Sequence, residues 1–342
     1  MTTWLESYKK GSLRQTTYEN YKTLLDAHII SDPIAKIQLQ KITTDNLQDF
    51  LRRMSESSKN VVVREKVEKN GQKLEIKKIV QSPLAPRVVN MLLFLIKAGL
   101  SQSLANAVIT RNPASFCKRY KETKREKSPL TTEQQKSFLQ SLKEHRLYAA
   151  FLLALATGAR RGEVLALRWP KVDLDEGSIK IADNLVRVKG GSKFNEPKTD
   201  SSRRTILLPF RAVKAFKEHQ IQQNVEKLES EANDKKNQSK APSYQDTGLV
   251  FCQTNGTKID PRNFQRVFET WRNKAGLPKR TRFHDLRHTF VTMLFGAGVD
   301  IKTAQSITGH SDTRTLLEIY AHAISESQKK AAEKMNDLLP DV

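Results

Sequence analysis

The stretch FHDLRHTF, residues 283–290, places His284, Arg287 and His288 within five residues. If it is helical, positions i, i+3 and i+4 share a face, so two imidazoles and a guanidinium point the same way. Such a face serves a metal ion, a phosphate, or a histidine satisfied in the core. The metal reading wants a glutamate directly after the first histidine, as in HExxH, to act as base for a bound water. The residue there is Asp285, one methylene shorter. Arg287 is the larger objection: a guanidinium on that face repels a dication and offers a donor fork suited to phosphate oxygens. The rest of the chain has to decide.

The chain has 342 residues, enough for two domains and a sizeable core. Its formal net charge of +22 points to a polyanionic partner, nucleic acid first. A membrane surface would call for an amphipathic basic helix or a lipidation signal, and neither is evident. Cys117 and Cys252 stand far apart without CxxC spacing. That argues against a disulfide scaffold and a cysteine zinc site, and fits a reducing cytosol. The N-terminus, MTTWLESYKKGSLRQTTYEN, has no apolar signal-peptide core. The apolar run YAAFLLALATGA, 148–159, is too short for a bilayer and reads as a buried helix.

The first third reads as helical. Apolar spacing predicts helices over 16–30 and 42–54, the second capped by Thr44 or Asp45. Another covers 84–113, broken near Gly99 and ended by Pro113. Residues 59–80 read as an inserted hairpin or loop around Asn70-Gly71. Between Lys118 and Lys127 lie six basic and two acidic side chains without apolar periodicity. This is a solvated interdomain linker, and Lys118, Arg119, Lys124, Arg125 and Lys127 are candidates to track DNA. Beyond Pro129 the reading is mainly α with a small antiparallel β-sheet. Thr131 or Thr132 starts a helix, Gly158 stops the next, and RRGEVLALRW begins a third. Strands are predicted at 177–188 and 203–210, separated by a polar turn region. From 211 to 246 a helical pattern decays into a polar excursion, and 264–276 is helical again.

Further phosphate-binding groups then emerge. Arg160 follows a glycine break at the first turn of a helix, where its charge adds to the positive helix end. A cation there makes sense if an anion joins it. Arg161 points elsewhere and reads as merely solvated, while Glu163 is placed to orient Arg160 or to cap the helix. Lys198 falls in a turn between strands, where an amine could reach a leaving oxygen. Asp300 reads as an N-cap, Gly309 as a helix stop, and His310 stands in the turn that follows. Tyr320 is either core packing or a nucleophile. Each residue alone has a bland explanation. Together they describe a cationic pocket beside a phenol.

The series Arg160-x-x-Glu163, Lys198, His284-x-x-Arg287, Gly309-His310, Tyr320 resembles that of the tyrosine recombinases, the phage and conjugative-transposon integrases and Xer proteins, over about 128–325. The N-terminal third is more weakly similar to that family's helical core-binding domain. The resemblance implies a two-domain C-shaped DNA clamp: a core-binding domain at 1–117, a linker at 118–128, and a catalytic domain at 129–342 with a tail from about 325. It implies that Tyr320 attacks a DNA phosphate to form a 3′-phosphotyrosyl bond, without metal, ATP or other cofactor. Arg160, Arg287 and His310 would hold the phosphate, Lys198 would be the general acid, His284 the base or proton shuttle, and Glu163 an orienter. His288 falls outside the pattern and takes a structural role. Implied partners are double-stranded attachment sites, a homotetramer on synapsed DNA, an excisionase and a host DNA-bending protein, in a bacterial cytoplasm near the nucleoid and away from membranes. A mobile-element integrase is the expectation. The alternatives are a Xer-type dimer resolvase and a non-catalytic DNA-binding protein.

Overall fold

The computed structural model describes residues 1–56, 59–69, 72–123, 129–195, 203–235, 243–310, 313–314 and 316–321. The chain divides into two compact units, Met1–Arg125 and Glu126–Val342. Lys124, Arg125, Lys127, Lys198 and the tail after 325 lie outside the described residues.

Unit 1 opens with a short helical segment, α1 (Thr2–Trp4), continued as a π-turn over Leu5–Lys9. The helix expected over 16–30 is α2 (Gln15–Leu24) followed by a second π-turn, Leu25–Ile30. Next comes α3 (Thr44–Glu56), whose Leu47, Phe50, Leu51 and Met54 form the buried stripe its spacing requires. Its cap lies one residue earlier than expected. The Thr43 hydroxyl accepts from the Asn46 amide at 3.2 Å, and Asn46 Oδ1 accepts from the Thr43 amide at 3.1 Å. Residues 59–80 are indeed an inserted hairpin: β1 (Lys59–Lys69) pairs antiparallel with β2 (Gln72–Ser82), Lys69 opposite Gln72.

Helix α4 (Pro86–Ala105) runs unbroken through Gly99. The glycine serves packing instead, since a Cβ there would run into the Met1 side chain. Among the described residues α4 is the one helix long and apolar enough to cross a membrane. Val89, Leu92, Leu95 and Ile96 bury that surface in the unit 1 core with Leu25 and Phe50. Buried Asn90 exchanges two hydrogen bonds, each 2.9 Å, with the Tyr120 backbone and donates to Glu122 at 2.8 Å. The Lys118 amide donates to Gln48. Residues 118–122, read as solvated linker, are therefore tied down onto unit 1.

Unit 2 begins with α5 (Thr132–Ser141), capped by a Thr131–Gln134 box, and α6 (Tyr148–Thr157), ended by left-handed Gly158 at φ 63°. The short α7 (Arg161–Ala166) follows. The strand expected at 177–188 is two strands in different sheets. β3 (Val172–Asp173), β4 (Ser178–Ile181) and β7 (Arg204–Leu207) form one antiparallel sheet in the order 3-4-7. β5 (Asn184–Val188), the second half of that expected strand, forms a hairpin of its own with β6 (Gly191–Asn195), which falls within what the sequence suggests is only a polar turn. Helix α8 (Phe210–Lys235) ends about where its pattern gives way to the polar stretch from Asn233. Then come α9 (Pro261–Lys274), α10 (Phe283–Gly296) and α11 (Ile301–Thr308), with residues 316–321 helical again.

The unit 2 core is aromatic beneath the α10 N-terminus. Phe283 packs against Phe151, Phe264 and Phe268 at centroid distances of 6.2, 5.4 and 5.8 Å. Fully burying such a side chain contributes about 1.5–3 kcal/mol, so the residue before His284 anchors the helix that carries the site. The Thr289 hydroxyl accepts from the Leu130 amide at 2.9 Å and pins the same helix to the start of α5.

Candidate active site

Three chain segments converge on one cluster: the α6–α7 turn, the first half of α10, and the C-terminal end of α11. Arg160 is the N-cap of α7, one residue outside the helix. Glu163 Oε2 accepts from its amide at 2.9 Å, and Glu163 Oε1 from its guanidinium at 2.7 Å. One carboxylate thus caps the helix and aims the arginine. Arg160 Nη2 also donates to Gly309 O at 2.9 Å. Arg161 is not merely solvated: it donates to Gln265 at 3.2 Å and is half-buried.

Arg287 is 2 % exposed, the most deeply buried charge of the group. Its Nη1 donates to Gly158 O at 2.8 Å, and its Nε and Nη2 lie 3.3 and 3.1 Å from His310 Nε2 and Nδ1. Gly158 must be glycine twice over. Its φ is positive, and a Cβ would stand 2.7 Å from Phe290 Cδ1 and 3.4 Å from Arg287 Cγ. Burial, then repulsion from Arg160, pulls the Arg287 pKa down to about 9, with Glu163 partly offsetting and Arg204 adding to it.

His310 follows Gly309, which is left-handed at φ 64° and closes α11 as expected, just as the Asp300 side chain opens it. The Thr308 hydroxyl lies 2.7 Å from His310 Nδ1, and Gln305 Nε2 donates to the His310 carbonyl at 3.0 Å. Burial, then the charges of Arg287 and Arg160, lower its pKa to about 3, so the ring is neutral at physiological pH.

A residue the sequence reading missed completes the cluster. Buried Arg204, first in β7, donates from Nη2 to Glu163 Oε2 at 2.9 Å and from Nε to Ile307 O at 2.7 Å. Burial alone would raise the Glu163 pKa, but the charge and hydrogen bond of Arg204, with Arg160, hold it below the usual carboxylate range. The last carbonyls of α11, which lack helical partners, are thereby taken by two arginines, at the negative end of the helix dipole. Arg160 and Arg204 share one carboxylate in the space between α7, β7, α10 and α11, and Arg287 feels its charge without bonding it. The sum of these named charges is positive, and the remaining donor capacity suits an oxyanion.

The opening stretch is now resolved. Asp285 accepts from the Arg282 amide at 2.7 Å and so caps α10. His284 is exposed, His288 is buried, and their rings meet edge-on at 5.0 Å. Among the described residues no three His, Cys, Asp or Glu side chains gather as a metal site. Tyr320 belongs to a separate apolar cluster with Val291, Phe295, Ala304 and Leu316, its ring edge-on to Phe295 at 5.0 Å. Phe295 lies eight residues beyond Arg287 on α10, about 12 Å along the axis. The cations are brought together, and the phenol packs on the same helix two turns away.

A family model described as the phage integrase family matches residues 128–327, and one for the phage integrase N-terminal SAM-like domain matches residues 1–55. The XerC-like tyrosine recombinase of Caldanaerobacter subterraneus subsp. tengcongensis is 35% identical over 218 residues, covering 60% of this chain and 53% of that protein. The ICEBs1 integrase of Bacillus subtilis is 24% identical over 324 residues, covering 94% of this chain and 78% of its own length. The chain thus spans about half of the first relative and about four-fifths of the second. Among solved structures, the Tn1549 transposon integrase in complex with a circular intermediate DNA superposes with a TM-score of 0.72 at 23% identity, covering 98% of each chain.

Proposed function

The chain belongs to the phage integrase family, the tyrosine recombinases, and from that premise we propose that it is a site-specific recombinase that integrates or excises a mobile DNA element. The observation that carries this reading is the cradle itself: Arg160, Arg204 and Arg287 around Glu163, with neutral His310 against Arg287. Its surplus of fixed donors matches a phosphodiester that must accept further negative charge.

In the reaction, the Tyr320 oxygen attacks phosphorus and the bond to the 5′-oxygen breaks. The phenolic proton passes to His284, Lys198 protonates the departing 5′-oxygen, and a 3′-phosphotyrosyl ester remains. Attack by the 5′-hydroxyl of a second strand reverses these steps. One phosphodiester replaces another of similar energy, so ATP has no role. Arg160 and Arg287 stabilise the pentacoordinate phosphorus through forks that stay charged at neutral pH, which serves the purpose a metal ion serves in other phosphoryl transfers. His310 donates to an oxygen of the same phosphate. Glu163 orients Arg160, and Arg204 holds Glu163. Residues 1–117 bind the core site, 118–128 follow the backbone with Lys118, Arg119, Lys124, Arg125 and Lys127, and 129–342 perform the chemistry. Four copies act on two duplexes in the cytoplasm, at the nucleoid, with the tail from about 325 docked on a neighbour. An excisionase and a host DNA-bending protein set direction.

A DNA carrying its attachment site and a nick next to the cleavage position tests the proposal. It should trap a covalent protein–DNA adduct that survives chelator and is lost in Tyr320→Phe. Chelator-sensitive cleavage without an adduct would mean a nuclease, and binding without cleavage a DNA-binding protein. The similarity to a XerC-like protein favours a second reading, dimer resolution. Strand exchange between two identical chromosomal sites, rather than between unlike attachment sites, would select it.

A further inference from the structure

The last turn of α11 carries a buried hydroxyl that the reaction described above leaves without a task. Thr308 has no exposed surface. Its Oγ1 lies 2.6 Å from the Ala304 carbonyl, four residues back, and 2.7 Å from His310 Nδ1. A hydroxyl has one proton to give and lone pairs with which to accept. A carbonyl oxygen only accepts, so the Thr308 proton belongs to Ala304, in the back-bond open to any helical threonine. Were that proton turned to His310 instead, two oxygens would face each other at 2.6 Å with no hydrogen between them. The Gln305 carbonyl, 3.5 Å from the hydroxyl, is too far to compete. Thr308 therefore meets His310 as an acceptor, and Nδ1 carries the imidazole proton.

The other side of the ring agrees. Nε2 is then a lone pair, and Arg287 Nε donates to it at 3.3 Å. The opposite tautomer would set two N–H groups against each other there. Its one gain would be a bond from Arg287 Nη2 to Nδ1, 3.1 Å apart. With the proton on Nδ1, that Nη2 is left over for an incoming oxygen. We propose that Thr308 is a positioning residue for strand cleavage: its hydroxyl locks His310 as the Nδ1–H tautomer and so reserves Nε2 for the scissile phosphate. The proposal rests on the recombinase reading given above. Nε2 faces the empty site as an acceptor, so it takes up a proton before it donates to a phosphate oxygen, while Nδ1–H stays on Thr308. The groups whose charge reaches the ring are Arg287, His284 and His288 on α10 and Arg160 at the α7 N-cap, with Glu163 and Arg204 behind Arg160. The cations outnumber the one carboxylate, so the phosphate is the charge that draws the proton in.

Long-range proton–nitrogen NMR correlation on the full chain, with labelled histidine at neutral pH and no added anion, reads the tautomer directly. His310 should show a protonated Nδ1 and a bare Nε2, and saturating inorganic phosphate should protonate Nε2 as well. Thr308→Val keeps the shape without the hydroxyl and should move the proton to Nε2, whereas Thr308→Ser should leave it on Nδ1. On the nicked attachment-site DNA, Thr308→Val should slow adduct formation about tenfold or more, the cost of one hydrogen bond to a charged ring. Thr308→Ser should stay near the parent rate, and both variants should melt near the parent. A parent ring protonated at Nε2 overturns the proposal, as does an Nε2 that stays bare in saturating phosphate. So does a valine variant that keeps the parent tautomer or the parent rate, or a serine variant slowed as much as the valine one, which would make packing the cause. A parent chain that forms no adduct overturns the recombinase reading instead, and the spectra alone then decide what Thr308 does to the ring.

Discussion

Replacing Arg204 by methionine tests whether Glu163 is held by a pair of arginines or by Arg160 alone. The Glu163 and Arg204 side chains are each 5% exposed and 2.9 Å apart, whereas Arg160 is 35% exposed. Methionine fills much of the volume but strands a buried carboxylate, a change that generally costs about 3–5 kcal/mol. Arg160 stays in place at 2.7 Å, which argues for the lower end, and the lost bond to Ile307 adds back about 1 kcal/mol. A net loss of about 4 kcal/mol in a domain of this size lowers Tm by roughly 8–16 °C. Glu163→Gln in the same background removes the stranded charge, so the two losses should fall short of additivity by about 2 kcal/mol. The pH dependence supplies a sign check. In the parent the Glu163 pKa is depressed below 4.5, so its stabilisation is complete above that value and is lost as pH falls through the depressed one. In Arg204→Met burial dominates and the pKa rises, so the variant regains stability relative to the parent as pH falls. Calorimetric melts across pH measure all of this. An Arg204→Met melt within about 2 °C of the parent, or strict additivity with Glu163→Gln, would refute the clamp.

Three further outcomes follow from the same cluster. Inorganic phosphate or vanadate should raise the His310 pKa from about 3, because an anion offsets the field of Arg287 and Arg160; imidazole NMR titration reads this, and an unmoved His310 would place the anion elsewhere. Without anion, stability attributable to His310 is complete above 6.5 and declines as pH falls toward 3, since the unfolded chain takes up a proton the folded ring refuses. Gly158→Ala should destabilise unit 2 by about 2–4 kcal/mol through left-handed strain and overpacking and slow adduct formation by pushing on Arg287; denaturant melts and adduct rates test both. Arg287→Lys keeps a nitrogen but not the fork, cannot hold Gly158 and His310 at once, and should slow adduct formation on the order of a hundred- to thousandfold.

The fold class was legible because its signals are local. The caps at Thr131, Gly158, Asp300 and Gly309 each answer a backbone demand at one position, and the structure uses all four. The cradle was legible where it sits at helix ends: Arg160, Glu163, Arg287 and His310 come together. Arg204 was missed because an arginine doublet reads as solvent-facing charge. Its strand held the clue, since Arg204 and Ile206 alternate with exposed Thr205 and Leu207, which puts Arg204 in phase with the core. β6 was missed although Gly190, at positive φ, closes a two-residue loop with Lys189 between paired Val188 and Gly191, because the polar residues after it mask the alternation. Gly99 was misread as a breaker because a sequence does not reveal that Met1 packs against it from the far end of unit 1.

The cradle also explains why the protein tolerates so much unbalanced charge in one place. Burial and the neighbouring arginines pull the Arg287 pKa down to about 9, so the fold holds its charged form against a real penalty. Among the described residues Glu163 is the one carboxylate seen to bond these guanidiniums. The carbonyls of Gly158, Ile307 and Gly309 also hold the three guanidiniums, and a carbonyl fixes a guanidinium without cancelling its charge. A second carboxylate would stabilise the empty protein and compete with any incoming oxyanion. Carbonyls leave the positive potential intact and the donors already aimed, so the reorganisation is complete before the ligand arrives. The instability of the empty site and its attraction for a phosphate are then the same quantity seen from two states. Any substitution that stabilises the empty cradle by adding negative charge should weaken its grip on phosphate by a comparable free energy.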